Sequence, residues 1–198
     1  MFRELGEQLR KPSGTYGKLV AKMMERRNRE FYEKIIIDLE LKSGDKIYEI
    51  GYGPGLGINL IANSTIDCSI SGIDYSELMV RKATKRNKKF IKAGIVNLKY
   101  GDFVTATIDH ERYDKVFCVN VIYFWSDLNK VFRKIYSMLN KNGMYCIFMT
   151  PDKEITNRKF AEDFFKYPIG QVETALQKAG FKSIEYKLDK GYYIKAIK

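Results

Sequence analysis

The ten residues YEIGYGPGLG, positions 48–57, limit most strongly what this chain can fold into. Four alternate glycines, Gly51, Gly53, Gly55 and Gly57, follow a β-prone run, KIYEI (46–50), and lead into a helix expected from about Leu56 to Asn63. Glycine at such a turn lets a ligand touch bare backbone, and the following helix start offers free N–H groups. The same alternation continues downstream. CSISGID (68–74) reads as a strand, then a helix opened by Ser76 as N-cap, then VNLKYGD as a short strand. YDKVFCVNVI begins a fourth strand, Asp127 caps a helix over DLNKVFRKIYSMLN, and GMYCIFMT is a fifth strand. Strands alternating with helices imply an α/β domain with a mostly parallel, doubly wound sheet. The ending differs: PIGQVETALQKAG reads as a helix closed by Gly180, and FKSIEYKLDKGYYIKAIK as two strands joined at LDKG. That hairpin places one antiparallel strand in the sheet.

Ahead of the first strand, residues 16–40 carry apolar side chains at three-four spacing and predict a helix interrupted near Arg27 to Arg29, after a loop containing Pro12, Gly14 and Gly17. The 198 residues fit one domain, with residues 1–41 as a helical cap or lid and 42–198 as the core. No secretory leader is visible, and the longest apolar run, VFCVNVIYFW, is about half a membrane span. Both point to the cytoplasm. Cys68, Cys118, Cys146 and the single His110 form no zinc-type spacing, so no metal site is expected. The net charge of +11 is concentrated: residues 81–99 hold eight basic residues and no acid, while elsewhere 27 basic residues face 24 acidic ones. Such a stretch reads as a solvated helix face, or as a patch for RNA, anionic lipid or an acidic substrate.

Spacing narrows the ligand. A phosphate-binding Walker loop needs Gly-Lys-Ser/Thr at its end, and the dinucleotide fingerprint needs glycine at its sixth place, where Leu56 stands. The pattern present is Glu-x-Gly-x-Gly-x-Gly, from Glu49 to Gly55. It resembles the first motif of the class I S-adenosylmethionine-dependent methyltransferases, and more closely the small-molecule enzymes of the ubiquinone/menaquinone type. Asp74-Tyr75-Ser76-Glu77-Leu78-Met79 resembles the D-x-S-x-x-M stretch of that family, and Gly101-Asp102-Phe103 its adenine-edge motif. SMLNKNG resembles its L-x-P-G-G turn without the proline and with Asn142 for the first glycine.

The resemblance implies a Rossmann-like sheet of order 3-2-1-4-5-7-6, S-adenosylmethionine as cofactor and S-adenosylhomocysteine as product. It implies that Gly51, Gly53 and Gly55, with Glu49 ahead, form a floor for the amino-acid half of the cofactor, and that Asp74 accepts from both ribose hydroxyls. Tyr75 and Met79 would pack around the adenine, with Asp102 accepting from its exocyclic amine beside Phe103. Asn120 would meet the methionine end. Gly57 reads as close packing.

Methyl transfer needs alignment of a nucleophile and exclusion of water, and a base only for a protonated acceptor of high pKa. His110 precedes the fourth strand, on the edge opposite the cofactor. Any base must then come from Tyr, Asp, Glu or Cys, or be absent altogether, with Tyr123 and Tyr16 the first candidates. The N-terminal segment is expected as a lid, closing with Leu9, Arg10, Pro12, Gly14 and Tyr16, while Tyr123 and Trp125 stand on the acceptor side. The acceptor expected is a small molecule. Nucleic acid is an alternative, from the basic stretch and the N-x-x-Y spacing of Asn120 to Tyr123. A membrane lipid or quinone is another, from the basic, amphipathic segment 16–37. A non-catalytic cofactor-binding protein and a nicotinamide-dependent oxidoreductase are further alternatives. Acceptor atom and oligomeric state stay open.

Overall fold

The computed structural model describes residues 2–64, 66–107 and 112–198. His110 lies outside them. Helices α1 (Phe2–Arg10) and α2 (Gly14–Asp38) precede β1 (Lys46–Ile50), α3 (Leu56–Ala62), β2 (Ser69–Asp74), α4 (Glu77–Arg86), α5 (Lys88–Lys92) and β3 (Val96–Tyr100). Next come β4 (Tyr113–Val119), a 3-10 turn (Ile122–Phe124), α6 (Leu128–Met138), β5 (Leu139–Met149), α7 (Asp152–Thr156) and a second 3-10 turn (Lys159–Ala161). The described chain closes with α8 (Ile169–Ala179), β6 (Ser183–Leu188) and β7 (Tyr192–Ile197). The seven strands form one sheet of order β3-β2-β1-β4-β5-β7-β6, as expected. Strands β1 to β5 pair in parallel, while β7 lies antiparallel to both β5 and β6.

Period-two alternation sends successive side chains to opposite faces. Tyr48, Ile50, Val116, Cys118, Tyr145 and Ile147 join α6 and α8 in one core. Ile47, Phe117, Met144, Cys146 and Phe148 join α2 and α3 in the other. On α6, Leu128, Val131, Phe132 and Ile135 share the buried face, and the Asp127 side chain accepts from the Lys130 N–H, the cap its position predicts. Gly180 ends α8 at φ 108°, a left-handed stop suited to glycine.

Two expectations are corrected. Helix α2 runs unbroken for 25 residues through Arg27 to Arg29, because Tyr32, Ile35 and Leu39 keep its inner face buried against the sheet. The helix expected after Ser76 breaks at Asn87, whose side chain donates to the Gly55 and Ala83 carbonyls. Residues 2–10, expected only as part of the cap, and 152–161, for which no element was given, contain α1, α7 and the second 3-10 turn. These pieces support one another: a Cβ at Gly6 would stand 2.1 Å from the Phe160 carbonyl oxygen. Their order comes from this docking and not from local periodicity. No helix of the described residues is long and apolar enough to cross a membrane.

Candidate active site

The C-terminal ends of β1, β2 and β4 open onto a cavity of about 110 Å³, where ligands bind in open α/β sheets. Its floor is the glycine turn. Gly51, Gly53 and Gly55 have φ of +70°, +52° and +76°, a region open to glycine at little cost. Their surroundings separate them. A Cβ on Gly53 would meet nothing within 4 Å, so this backbone faces open space. A Cβ on Gly55 would stand 2.8 Å from the Ala83 Cβ, and one on Gly57 2.7 Å from the Tyr32 ring. Gly55, expected on the ligand floor, instead packs α3 against α4, as Gly57 packs against α2. Both are excluded from the cavity by helix packing.

Asp74 ends β2 in the cavity wall. Its Oδ2 accepts from the Gly53 N–H at 2.8 Å and its Oδ1 from the Ser76 N–H at 2.9 Å. Burial pushes the carboxyl up to about 6, opposed by these two bonds. Each oxygen keeps a free lone pair for a further donor. Glu49 lies beneath the floor and lines no cavity. It is fully buried, its Oε2 accepting from the Ile58 N–H at 3.1 Å, and burial pushes its carboxyl up to about 8 against the bonds from Tyr32 and Ile58. Its Oε1 has no partner.

The far wall brings together Tyr75, Met79, Asp102 and Phe103. The Tyr75 phenol is raised to about 12 by burial, with the nearby Arg10 guanidinium opposing, and Lys11 sits 5.5 Å from its ring centroid. Asp102 is exposed, and its Oδ1 accepts from the Val104 N–H at 2.9 Å. Asn120 (φ +57°) and buried Trp125 complete this wall.

The roof is N-terminal. Leu9, Arg10 and Pro12 line it, with Met24, Asn28 and Tyr32 at four-residue spacing on α2. The Ser76 hydroxyl accepts from the Met79 N–H as α4's cap and donates to the Pro12 carbonyl at 2.6 Å, joining roof to wall. Arg86 adds a second tie, bonding Glu25 at 2.6 Å and the Pro54 carbonyl at 3.0 Å. Gly14 and Tyr16, both expected in the lid, line no cavity among the described residues. Helix α2 starts at Gly14, so both lie in its first turn rather than in the covering loop.

A second cavity, about 310 Å³, adjoins the first and shares Leu9, Met24, Asn28, Asn120 and Phe124 with it. Tyr123 belongs to this chamber. Its hydroxyl donates to Asn120 Oδ1 at 2.9 Å and accepts from the Thr150 N–H; Asn120 Nδ2 donates to Asn28 Oδ1 at 3.1 Å. Burial holds the phenol far above its usual range. Its hydroxyl is thus held between Asn120 and Thr150. None of residues 81–99 lines either cavity. The sequence reading missed Asn28, Tyr32 and Thr150, along with the chamber itself. The four-residue repeat 24-28-32 on α2 was the available signal, hidden by the expected break.

The family described as "Methyltransferase domain" matches residues 48–147, just over half of the chain. "Uncharacterized methyltransferase YdaC" of Bacillus subtilis is 29% identical over 163 residues, 82% of this chain and 86% of that protein. The sterol 24-C-methyltransferase of Candida albicans is 24% identical over 164 residues, 76% of this chain but only 43% of that protein. Among solved structures, Haemonchus contortus phosphoethanolamine N-methyltransferase 2, in complex with S-adenosyl-L-methionine, superposes with a TM-score of 0.79 at 19% identity, covering 100% of this chain and 60% of that one. With this sheet order and this family match, the chain belongs to the methyltransferase-domain family, as a class I S-adenosylmethionine-dependent methyltransferase.

Proposed function

We propose that the chain moves a methyl group from S-adenosylmethionine in the first cavity to a small-molecule acceptor in the second, by in-line displacement. The observation that carries this reading is the shared wall: two chambers meet at Asn28, Asn120 and Phe124. The residues present fit the cofactor. Gly53 offers open backbone, and Asp74 offers two carboxylate oxygens for a ribose diol. Tyr75, Met79, Asp102 and Phe103 would hold the adenine, and Asn120 the methionine end.

S-adenosylmethionine supplies a methyl group already activated on a positively charged sulfur. The chain's task is alignment and dryness. Leu9, Met24 and Phe124 supply apolar cover at the junction, and the Tyr123–Asn120–Asn28 bonds fix the polar groups there. Tyr123 acts in this reading as an orienting group that stays protonated.

The test is S-adenosylhomocysteine release with panels of amine, thiol, phenol, quinone and lipid acceptors and with RNA and DNA. Calorimetry should show binding of S-adenosylmethionine and none of NAD. Release with a soluble acceptor supports the reading. Release only with vesicles or nucleic acid would replace it with the lipid or nucleic-acid alternative.

A further inference from the structure

We infer that the second cavity takes an anionic acceptor: a carboxylate or phosphate carried on an apolar body of one to two rings. This rests on the reading of that cavity as the acceptor chamber. Its walls carry three cations, Arg27, Arg158 and Lys190, against one acid, Glu154. Two of the cations are engaged. Arg158 Nη2 lies 3.2 Å from Glu154 Oε2, and Lys190 holds both oxygens of Glu30 at 2.8 Å. Arg27 has no ion pair among the described residues. It also lines the second cavity and not the first, while Arg10 does the reverse. The cofactor therefore does not account for Arg27.

The turn of the β6–β7 hairpin brings Lys190 to α2, where Lys34 also bonds Asp189 at 2.6 Å. Arg27, an exposed side chain at the cavity wall, stands on that same helix, one turn from Glu30 and next to Asn28 in sequence. A planar fork of donors suits carboxylate or phosphate oxygens, and an amine would meet net positive charge instead. The rest of the wall sets the shape of the body. The Phe164 ring lies parallel to Tyr123, 8° apart in plane with centroids 6.3 Å apart, and meets Phe124 edge-on at 4.9 Å. Parallel aromatic faces favour a flat apolar body. The volume, about 310 Å³, is roughly twice the ~150 Å³ that admits benzene.

The test uses the full chain saturated with S-adenosylhomocysteine and three probes that share one ring system: 2-naphthoate, 2-naphthyl phosphate and neutral 2-naphthamide. Calorimetry should give an affinity for at least one anion about tenfold or more above the amide, the size of one charge-assisted bond. Arg27→Gln should bring that ratio to within about threefold while S-adenosylhomocysteine affinity holds, and Arg27→Lys should retain part of it. Lys22→Gln, on the solvent side of α2, should leave it intact. The two anions distinguish a carboxylate from a phosphate acceptor. Equal affinity for anions and amide, or a preference unchanged in both Arg27→Gln and Arg158→Gln, would overturn the inference. If S-adenosylhomocysteine binds but charge preference is absent, only this inference falls; if it does not bind, the two-chamber reading falls as well.

Discussion

The two chambers share a wall and differ in how they are built. The first is made at the ends of parallel strands, by backbone geometry and by residues within a few positions of a strand end: Gly53, Asp74, Asp102. The second is made between elements far apart in the chain, with α1 and α2 meeting residues 150–164 and the hairpin turn at Lys190. The contrast teaches where change is tolerated. A cavity tied to strand ends is fixed by the sheet. A cavity assembled from docked pieces, the proposed acceptor site, can alter its lining without disturbing the sheet, as loops on a rigid scaffold do.

The comparison is broken most sharply at the glycine turn. Gly55→Val would drive side-chain atoms into the Ala83 backbone, 2.9 Å from its Cβ position, and denaturant unfolding should show a loss of about 3 kcal/mol or more. Gly53→Ala, with open space around it, should cost only about 1–2 kcal/mol for its left-handed backbone, and its larger effect should appear in cofactor affinity. Equal stability losses for the two would erase the distinction drawn between packing and cradle.

Asp74→Asn should weaken S-adenosylmethionine binding by about 1.5–3 kcal/mol, roughly tenfold or more, as for charge-assisted hydrogen bonds. Affinity for 2-naphthoate should be unaffected. Tyr123→Phe should do the opposite. It removes the donor to Asn120 and the acceptor for Thr150, so turnover should fall about tenfold, one hydrogen bond's worth, with cofactor affinity kept. A loss confined to cofactor affinity would move Tyr123 to the donor chamber.

Glu49 sharpens the comparison through pH. Its folded carboxyl, raised by burial to about 8, exceeds the ordinary value of 4.5, so between those values the folded state binds the extra proton. Its contribution to stability is then fullest below about pH 4.5 and is lost as pH rises through 8. Glu49→Gln should flatten the fall in unfolding midpoint between pH 5 and 8 relative to the native chain, by more than about 1 kcal/mol. Parallel pH profiles for the two proteins would show that Glu49 is ionised in the folded state. The smallest effect is expected from Lys82→Gln with Lys85→Gln, which lie outside both cavities. Soluble-acceptor turnover should change by less than about twofold, as for surface charges.

The first cavity was legible because its signals are local. The run KIYEI, the left-handed turn at the glycines after it, and the Asp74-x-Ser76 cap each depend on a few neighbouring residues. The errors followed distance. Gly55 was placed on the ligand floor because spacing cannot reveal that Asn87 and Ala83, some thirty residues on, close over it. Tyr16 stands on α2 but lines neither cavity, because which face of that helix meets them depends on docking. Tyr123 is visible in the sequence as a phenol, but its bonds to Asn120 and Thr150 exist only in the fold.

The sequence by itself determined the alternating strands and helices, the antiparallel last strand, the glycine turn and the carboxylate after β2, since periodicity and turn chemistry are encoded within single elements. Only the tertiary structure decided which glycine stays open, which tyrosine reaches a cavity, and that an arginine without an ion pair among the described residues lines an aromatic chamber. Those are contacts between elements up to 160 residues apart, such as Glu30 with Lys190, and their geometry exists only once the elements have packed.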